Sequence, residues 1–315
     1  MLIPGRIVVV GSHAPGFFIR VNRIPNAGET VIGWDYQEPV DGGKGSNQAI
    51  AAARLGAPVS FIGSLGRDRI GETGEAWMRE AGVDTQWLLH SEHISSGMGL
   101  IMLDHNGVPA MVTCMGANAQ LSNQDVERAL NSIEGVSVLL TQFEINPEVA
   151  LHAARIIKNR GMITIVNPAP AVETLTGLDA ATILTPNETE AKTLLGLNQD
   201  EKVDLRFLSR NLREKSRLDC VIVTGGEKGI AGSDSSGEWK IDAPAVRVVD
   251  TSGAGDVFCA ALAVGLLQGK SVRSASRDAC AIATLSVTRP GTIPAFPTAP
   301  EAEQFLAGCN TRIYE

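Results

Sequence analysis

Six short runs in this chain of 315 residues are apolar or β-branched with little interruption: RIVVVGS (6–12), VSFIGSLG (59–66), VSVLLTQFE (136–144), MITIVNPAP (162–170), TILTPNE (182–188) and CVIVTGG (220–226). A strand that is apolar toward both faces has to be covered on both, as in a parallel sheet sandwiched between helical layers. Helical stretches fall between most of these runs. The clearest is NPEVALHAARIIKNRG (146–161), with Asn146 as its cap, Pro147 at its first position and Gly161 at its end. This alternation predicts a doubly wound α/β fold, a mostly parallel sheet flanked by helices and joined by right-handed crossovers.

The strands end in polar residues: Gln142 and Glu144, Asn167, Asn187 and Glu188, and Thr224–Gly225–Gly226. In a parallel sheet these carboxyl ends share one edge, where ligands bind in open α/β sheets. A further stretch, DTSGAGD (250–256), runs straight into the apolar VFCAALAVGLL (257–267). Residues 257–267 predict a helix apolar on every face, packed inside the protein and stopped by Gly269 and Lys270. Its first turn offers the free N–H groups of Gly253, Ala254 and Gly255 with the positive end of the helix dipole behind them, which makes an anion hole. Asp256 beside it is a carboxylate that the dipole tends to keep ionised, able to accept a proton. A base next to an anion cradle suits phosphoryl transfer to a hydroxyl. A Gly-rich turn with Asp256 as an ordinary helix cap accounts for the same seven residues equally well.

A second Gly-rich site, DGGKGSNQAIAAARLG (41–56), gives a Gly42–Gly43 entry, an Ala-rich helix and a stop at Gly56, with Lys44 and Asn47 placed to offer a donor and an amide to a polyol. On these residues alone, a tightly packed helix with an incidental lysine is the simpler reading. Two stretches, 17–40 and 97–115, alternate with period two, the second turning on Asn106-Gly107. They predict a small, largely antiparallel sheet, a lid of about residues 14–41 and 96–115 inserted in a single domain of 1–315. Such a sheet has a face to cover, by substrate and the main body or by a second copy of the chain.

The chain carries 27 Lys and Arg against 35 Asp and Glu, a net charge of −8, which argues against a general binder of nucleic acid or acidic membranes. No segment is long enough to span a bilayer. Cys114, Cys220, Cys259, Cys280 and Cys309 are scattered and odd in number, as expected of reduced thiols in a cytoplasmic protein without disulfides or zinc. His13, His90, His93, His105 and His152 show no metal spacing. GKS at 269–271 follows a helix and has Val264 where a Walker A loop needs glycine, and GSHAPG after the first strand fails the dinucleotide pattern.

With both Gly-rich sites in place, the chain resembles the ribokinase-like carbohydrate kinases nearly end to end. The matching segments, in order, are PNAGETVIG (25–33), GGKGSNQA (42–49), GANAQLS (116–122), NPAP (167–170), TPNETEA (185–191), VTGG (223–226), DTSGAGD (250–256) and VTRPG (287–291). The resemblance implies an α/β domain with a β lid that often serves as the dimer contact, and transfer of the ATP γ-phosphate to a sugar hydroxymethyl group. It implies Asp256 as the base and Gly253, Ala254 and Gly255 as the anion hole. Gly43, Lys44, Asn47 and Glu144 would hold the sugar, and Asn187, Thr224, Gly226, Gly229 and Cys280 the nucleotide. Glu190 would act indirectly on Mg2+, while Asp250, Ser252, Val287 and Gly291 would hold a monovalent cation, potassium, as activator.

The same resemblance shows a departure. Family members of the ribokinase type carry Asn and Asp after the first strand, as in G-S-x-N-x-D, and here those positions are Ala14 and Gly16, with His13, Pro15 and Phe17 beside them. Two polar contacts to a sugar are expected to be missing, which weakens discrimination for ribose hydroxyls. A larger, less polar or anionic acceptor is the expectation that follows. Same-fold kinases of fructose, a ketodeoxy sugar acid or a nucleoside are alternatives, and a non-catalytic sugar-binding protein is the alternative of a different class.

Overall fold

The computed structural model describes residues 5–37, 39, 41–106, 108–309 and 311–314. In chain order the strands are β1 (Arg6–Val10), β2 (Gly16–Val21), β3 (Gly33–Gln37), β4 (Val59–Gly66), β5 (Asp84–Ser91), β6 (Met98–Leu103) and β7 (Pro109–Cys114). There follow β8 (Val136–Gln142), β9 (Ile163–Asn167), β10 (Ile183–Leu184), β11 (Cys220–Thr224), β12 (Ile230–Asp234), β13 (Gly237–Ile241) and β14 (Ile313–Tyr314). The helices are α1 (Gly43–Arg54), α2 (Arg69–Glu80), α3 (Asn123–Ser132), α4 (Pro147–Asn159), α5 (Glu188–Leu195), α6 (Leu205–Ser216), α7 (Ala254–Leu267), α8 (Val272–Ser286) and α9 (Ala299–Gly308).

Ten strands form one sheet in the spatial order β14-β13-β12-β11-β10-β9-β8-β1-β4-β5. Every pairing from β11 through β5 is parallel, and β12, β13 and β14 add an antiparallel edge. The chain winds outward from β1 through β4 to β5, then returns to β8 on the other side of β1. The order therefore reverses between β1 and β8, and the loops after these two strands part there. That is where an open α/β sheet leaves a crevice for ligand.

The buried apolar residues form two clusters, one on each face of the sheet. The first gathers α1, α7 and α8, and the second α3, α4, α5 and α6. Helix α7 is apolar all round because it lies between the sheet and α1 and α8; from Val257 to Leu266 its residues are all buried. It begins at Ala254, earlier than the apolar run alone indicates, so Ala254, Gly255 and Asp256 already belong to its first turn.

Several strand boundaries differ from the sequence reading. The run 182–188 contributes only the two residues of β10, because Pro186 has no N–H to give and Asn187 caps α5. The run 162–170 stops at Asn167, where Pro168 interrupts donation to the ladder. Strand β5 and the edge strands β12–β14 were not signalled by continuous apolar runs: burial alternates along β5 and β13, β12 is buried but carries Gly232 and Ser233, and β14 has only two residues.

The remaining four strands form a separate sheet, β3-β2-β6-β7. Strands β2–β3 and β6–β7 pair antiparallel as the alternation suggested, but β2 and β6 run parallel. The β6–β7 connection is held by Asp104, whose side chain accepts the N–H groups of Asn106 and Val108; the Gly107 of the expected turn lies outside the described residues.

Candidate active site

The first turn of α7 supplies the acidic centre. Its cap, Gly253, has φ of 73°, and a Cβ there would stand 2.6 Å from Thr292 Cγ2 and 2.9 Å from Phe296 Cε1, so only glycine fits the turn. One turn in, Asp256 is 7% exposed. Its Oδ1 accepts from Gln48 Nε2 at 3.0 Å and its Oδ2 from Asn47 Nδ2 at 3.1 Å. Both amides are themselves oriented. Asn47 Oδ1 accepts the Gly42 N–H at 2.9 Å, and Gln48 Oε1 accepts from Gln142 Nε2 at 2.5 Å. Burial pushes the Asp256 carboxyl above the usual range, and Lys44, Gln48 and Asn47 offset only part of that push. Burial thus acts against the ionised form that the helix dipole favours, and a carboxyl raised in this way is the stronger proton acceptor once ionised.

The loop entering α1 lies against the β1/β8 switch point. Gly43 has φ of 75°, and a Cβ on it would stand 2.9 Å from the Ala14 nitrogen and 3.1 Å from Glu144 Oε2. The backbone approaches that closely because Glu144 Oε2 accepts both the Lys44 N–H at 2.9 Å and the Ser12 hydroxyl at 2.7 Å. Ser12 follows β1 and Glu144 follows β8, so one hydrogen bond spans the crevice. Burial raises the Glu144 carboxyl, with Lys44 opposing. Burial works against the Lys44 ammonium too, but Asp256, Glu144 and Glu190 together carry it above its ordinary value.

A cavity of about 170 Å³ brings Lys44, Asn187, Glu190 and Thr224 together with Gly253, Gly255 and Asp256. Asn187 and Glu190 also form the capping box of α5: Asn187 Oδ1 accepts the Glu190 N–H and Glu190 Oε2 accepts the Asn187 N–H, each at 2.8 Å. Burial raises the Glu190 carboxyl. Gly226 and Gly229 sit in the turn that follows β11, both with positive φ, and the turn is closed by Gly225 N–H donating to the Gly229 carbonyl at 2.8 Å. Cys280 is not brought to this cavity. It is buried in the core of the α7–α8 layer, and burial pushes its thiol up to about 12. A larger cavity, about 790 Å³, lies beneath the C-terminal tail and touches none of the candidate residues.

Asp250, Ser252, Val287 and Gly291 converge as a group. Asp250 accepts the Ser252 N–H at 2.9 Å and the Gly291 N–H at 3.0 Å, and the Val287 carbonyl accepts from Val249 and Asp250. This ties the loop before α7 to the loop after α8. Among the described residues, no group of three or more His, Cys, Asp or Glu side chains is arranged to hold a metal ion.

Sequence reasoning missed three residues of this centre: Ser12, Gln48 and Asp41. Gln48 had a signal, a long amide inside an otherwise Ala- and Ile-rich helix where it is fully buried. Asp41 had the same kind of signal, a carboxylate placed directly before two glycines and half-buried beside the Gly16 backbone.

Comparison with known proteins agrees with this geometry. The model of the pfkB family of carbohydrate kinases matches residues 6–299. The chain is 37% identical to a ribokinase of Bacillus subtilis over 307 residues, which are 96% of this chain and 99% of that one. It is 32% identical to a deoxyribokinase of Salmonella typhi over 303 residues, 96% of this chain and 98% of that one. The structure of an Arabidopsis thaliana ribokinase complexed with ribose and ATP superposes with a TM-score of 0.86 at 31% identity, covering 97% of this chain and 99% of that one. The fold, the two Gly-rich turns and the carboxylate between them thus have one explanation: the chain belongs to the pfkB family of carbohydrate kinases, ATP-dependent phosphotransferases that act on sugar hydroxyl groups.

Proposed function

We infer that the protein transfers the γ-phosphoryl group of ATP to a hydroxymethyl group of a small sugar, with Asp256 as the base and the N–H groups of Gly253, Ala254 and Gly255 as the anion hole. The observation that carries this is the shared cavity: a buried carboxylate steered by two amides stands on the first turn of α7, and Gly253 and Gly255 of that turn line the same space, while the Ala254 N–H donates to the Thr251 carbonyl at 3.3 Å and would have to turn to the transferred group. Asp256 takes the proton of the attacking hydroxyl, and the backbone donors receive the charge that builds on the transferred group. Gly43, Lys44 and Glu144 are assigned to the sugar; Asn47, whose amide bridges Gly42 and Asp256, positions the base. Asn187, Thr224, Gly226 and Gly229 are assigned to the nucleotide.

Glu190 is suited to magnesium by the chemistry of its site, a desolvated carboxylate lining the cavity with one oxygen free of the capping box. Bound with ATP, the ion would neutralise phosphate charge. The oxygen donors of Asp250, Ser252, Val287 and Gly291 fit a monovalent cation, whose part would be to stiffen the loop before α7. A melting temperature raised by KCl and not by choline chloride tests that site apart from activity.

The four-stranded sheet is assigned as the lid within one domain of 1–315, and its exposed Trp34, Tyr36, Met111 and Val112, with Ile32 just before β3, favour covering by a second copy of the chain. Among the described residues no helix is long and apolar enough to cross a membrane. The five free cysteines are consistent with the cytoplasm as its compartment.

The test is ADP release from MgATP with potassium present, across pentoses, ketohexoses, sugar acids and nucleosides. Asp256→Asn should lower kcat about 10²- to 10⁴-fold with the fold intact. Full activity in that variant refutes the assignment of the base. Ala14 and Gly16 favour a second reading, an acceptor other than ribose, which the same panel decides.

A further inference from the structure

Gly16 begins β2 on the crevice side of the β1 loop, and the space its side chain would fill is not vacant. The Gly16 N–H donates to Asp41 Oδ1 at 2.7 Å, and a Cβ built on Gly16 would stand 3.3 Å from Asp41 Oδ2 and 3.2 Å from Ile101 Cδ1. The carboxylate therefore sits where a residue at 16 would project, but it comes from the other strand of chain, directly before the Gly42–Gly43–Lys44 loop. A second backbone N–H, that of Gly43, also interacts with it. Gly43 thus separates two carboxylates: Asp41 on its N–H side and Glu144 3.1 Å from where its Cβ would be. Among the described residues no cation and no side-chain donor contacts Asp41. A half-buried carboxylate held by two backbone N–H groups, beside Glu144 and within electrostatic reach of Asp256, keeps acceptor capacity for an outside donor, because a carboxylate offers about four lone-pair sites.

We propose that Asp41 is a specificity-determining residue that accepts a hydroxyl hydrogen bond from the sugar, standing in from position 41 for the carboxylate missing at position 16. The inference rests on the sugar-kinase reading above and narrows its substrate class. With Asp41 and Glu144 side by side, the acceptor presents two neighbouring hydroxyls to this wall of the crevice. It is therefore a neutral polyol at that end, and only the contact at Ala14 is lost.

The test is steady-state kinetics of the wild type, Asp41→Asn, Asp41→Ala and the double variant Asp41→Ala/Gly16→Asp, on the best sugar of the panel and its monodeoxy analogues. Gly16 has no left-handed φ, and removing the Asp41 carboxylate opens room for a side chain there. Loss of a hydrogen bond to a charged acceptor should raise the sugar KM about 10- to 100-fold, with kcat and the MgATP KM changed much less. Both single variants should stop distinguishing the parent sugar from one particular monodeoxy analogue, and the double variant should regain that distinction. A role confined to folding would move none of these ratios. Unchanged sugar KM and unchanged discrimination in variants that fold cooperatively, melting at or above the wild-type temperature, overturn the assignment alone. A wild type that phosphorylates no sugar overturns the kinase reading and this assignment with it.

Discussion

Gly255 offers the sharpest separation of stability from function in this site. It lies in the first turn of α7 with ordinary helical geometry, lines the cavity that holds Asp256, and a Cβ added to it meets no protein atom within 4 Å. Within the protein, Gly255→Ala is therefore free of steric cost, and a helical alanine is worth roughly 0.5–1 kcal/mol over glycine. Tm should rise by about 1–3 °C. On the proposed assignment function should move the other way, because the methyl group would enter the space assigned to the transferred phosphoryl group and move it off the N–H donors. Loss of one donor of this kind costs about 10²- to 10³-fold in kcat, and the same is expected here. Gly253→Ala is the contrast. Its positive φ costs about 1–2 kcal/mol and its Cβ collides with Thr292 and Phe296, so stability and activity should fall together. Thermal melts and ADP release measured on both variants decide the matter. A Gly255→Ala enzyme that is more stable and keeps wild-type kcat/KM would show that the reaction does not run over this turn.

Three further outcomes follow from the same geometry. Because burial raises the Asp256 carboxyl, activity should fall on acidification at a higher pH than an ordinary aspartate would give; Gln48→Met, which removes the donor to Oδ1, should move that acidic limb higher still, and a limb that stays put in the pH–kcat profile assigns it to another group. Burial also lifts the Asp41 carboxyl from 3.8 to about 6, a folded-state value above the unfolded one, so the fold gains stability as pH falls from about 6 toward 4 and carries the penalty in full above that window. Asp41→Asn, which keeps an acceptor for the Gly16 N–H, should therefore melt higher than the wild type at pH 8, by up to roughly 3 kcal/mol, with the difference vanishing near pH 4; equal melts at pH 8 would refute it. On the lid, Met111→Lys with Val112→Lys should give a monomer by analytical ultracentrifugation if that face joins two copies, and an unaltered mass refutes the contact.

The parallel half of the fold was legible because strands buried on both faces leave continuous apolar runs, and β4 appears at the boundaries its run gives. Strand β5 was not legible: one of its faces is partly exposed, so its pattern alternates as a loop or surface strand would. The site followed the same rule. Residues fixed by backbone demands, such as Gly43 and Gly253 with their positive φ and close approaches, leave a signature in composition and spacing. Gln48 and Ser12 act through contacts to residues far along the chain, 208 and 132 positions away, and no local pattern encodes those. Asp41 is the instructive case. Read along the chain, Gly16 is a loss; read in space, the carboxylate is present, supplied from 25 residues further on.

The charge around Lys44 bears on the expectation that an anionic acceptor would suit the altered loop. Asp256, Glu144 and Glu190 all act on this one ammonium, and Asp41 in turn interacts with Glu144 and Asp256. Burial has already raised each of these carboxyls, which means the site resists the negative charge it holds. A further carboxylate on the sugar, placed about 6 Å from one uncompensated charge at an effective dielectric constant of about 20, costs roughly 3 kcal/mol. That corresponds to about 100-fold in affinity. This arithmetic predicts the opposite of an anionic acceptor: a neutral sugar should exceed its onic acid about 100-fold in kcat/KM when assayed at pH 8 and moderate salt. Asp41→Asn should narrow that ratio by removing one of the repelling charges. An acid that matches or exceeds the neutral sugar would mean that a cation outside this cluster, carried on the lid, reaches the substrate, and the charge argument would fall.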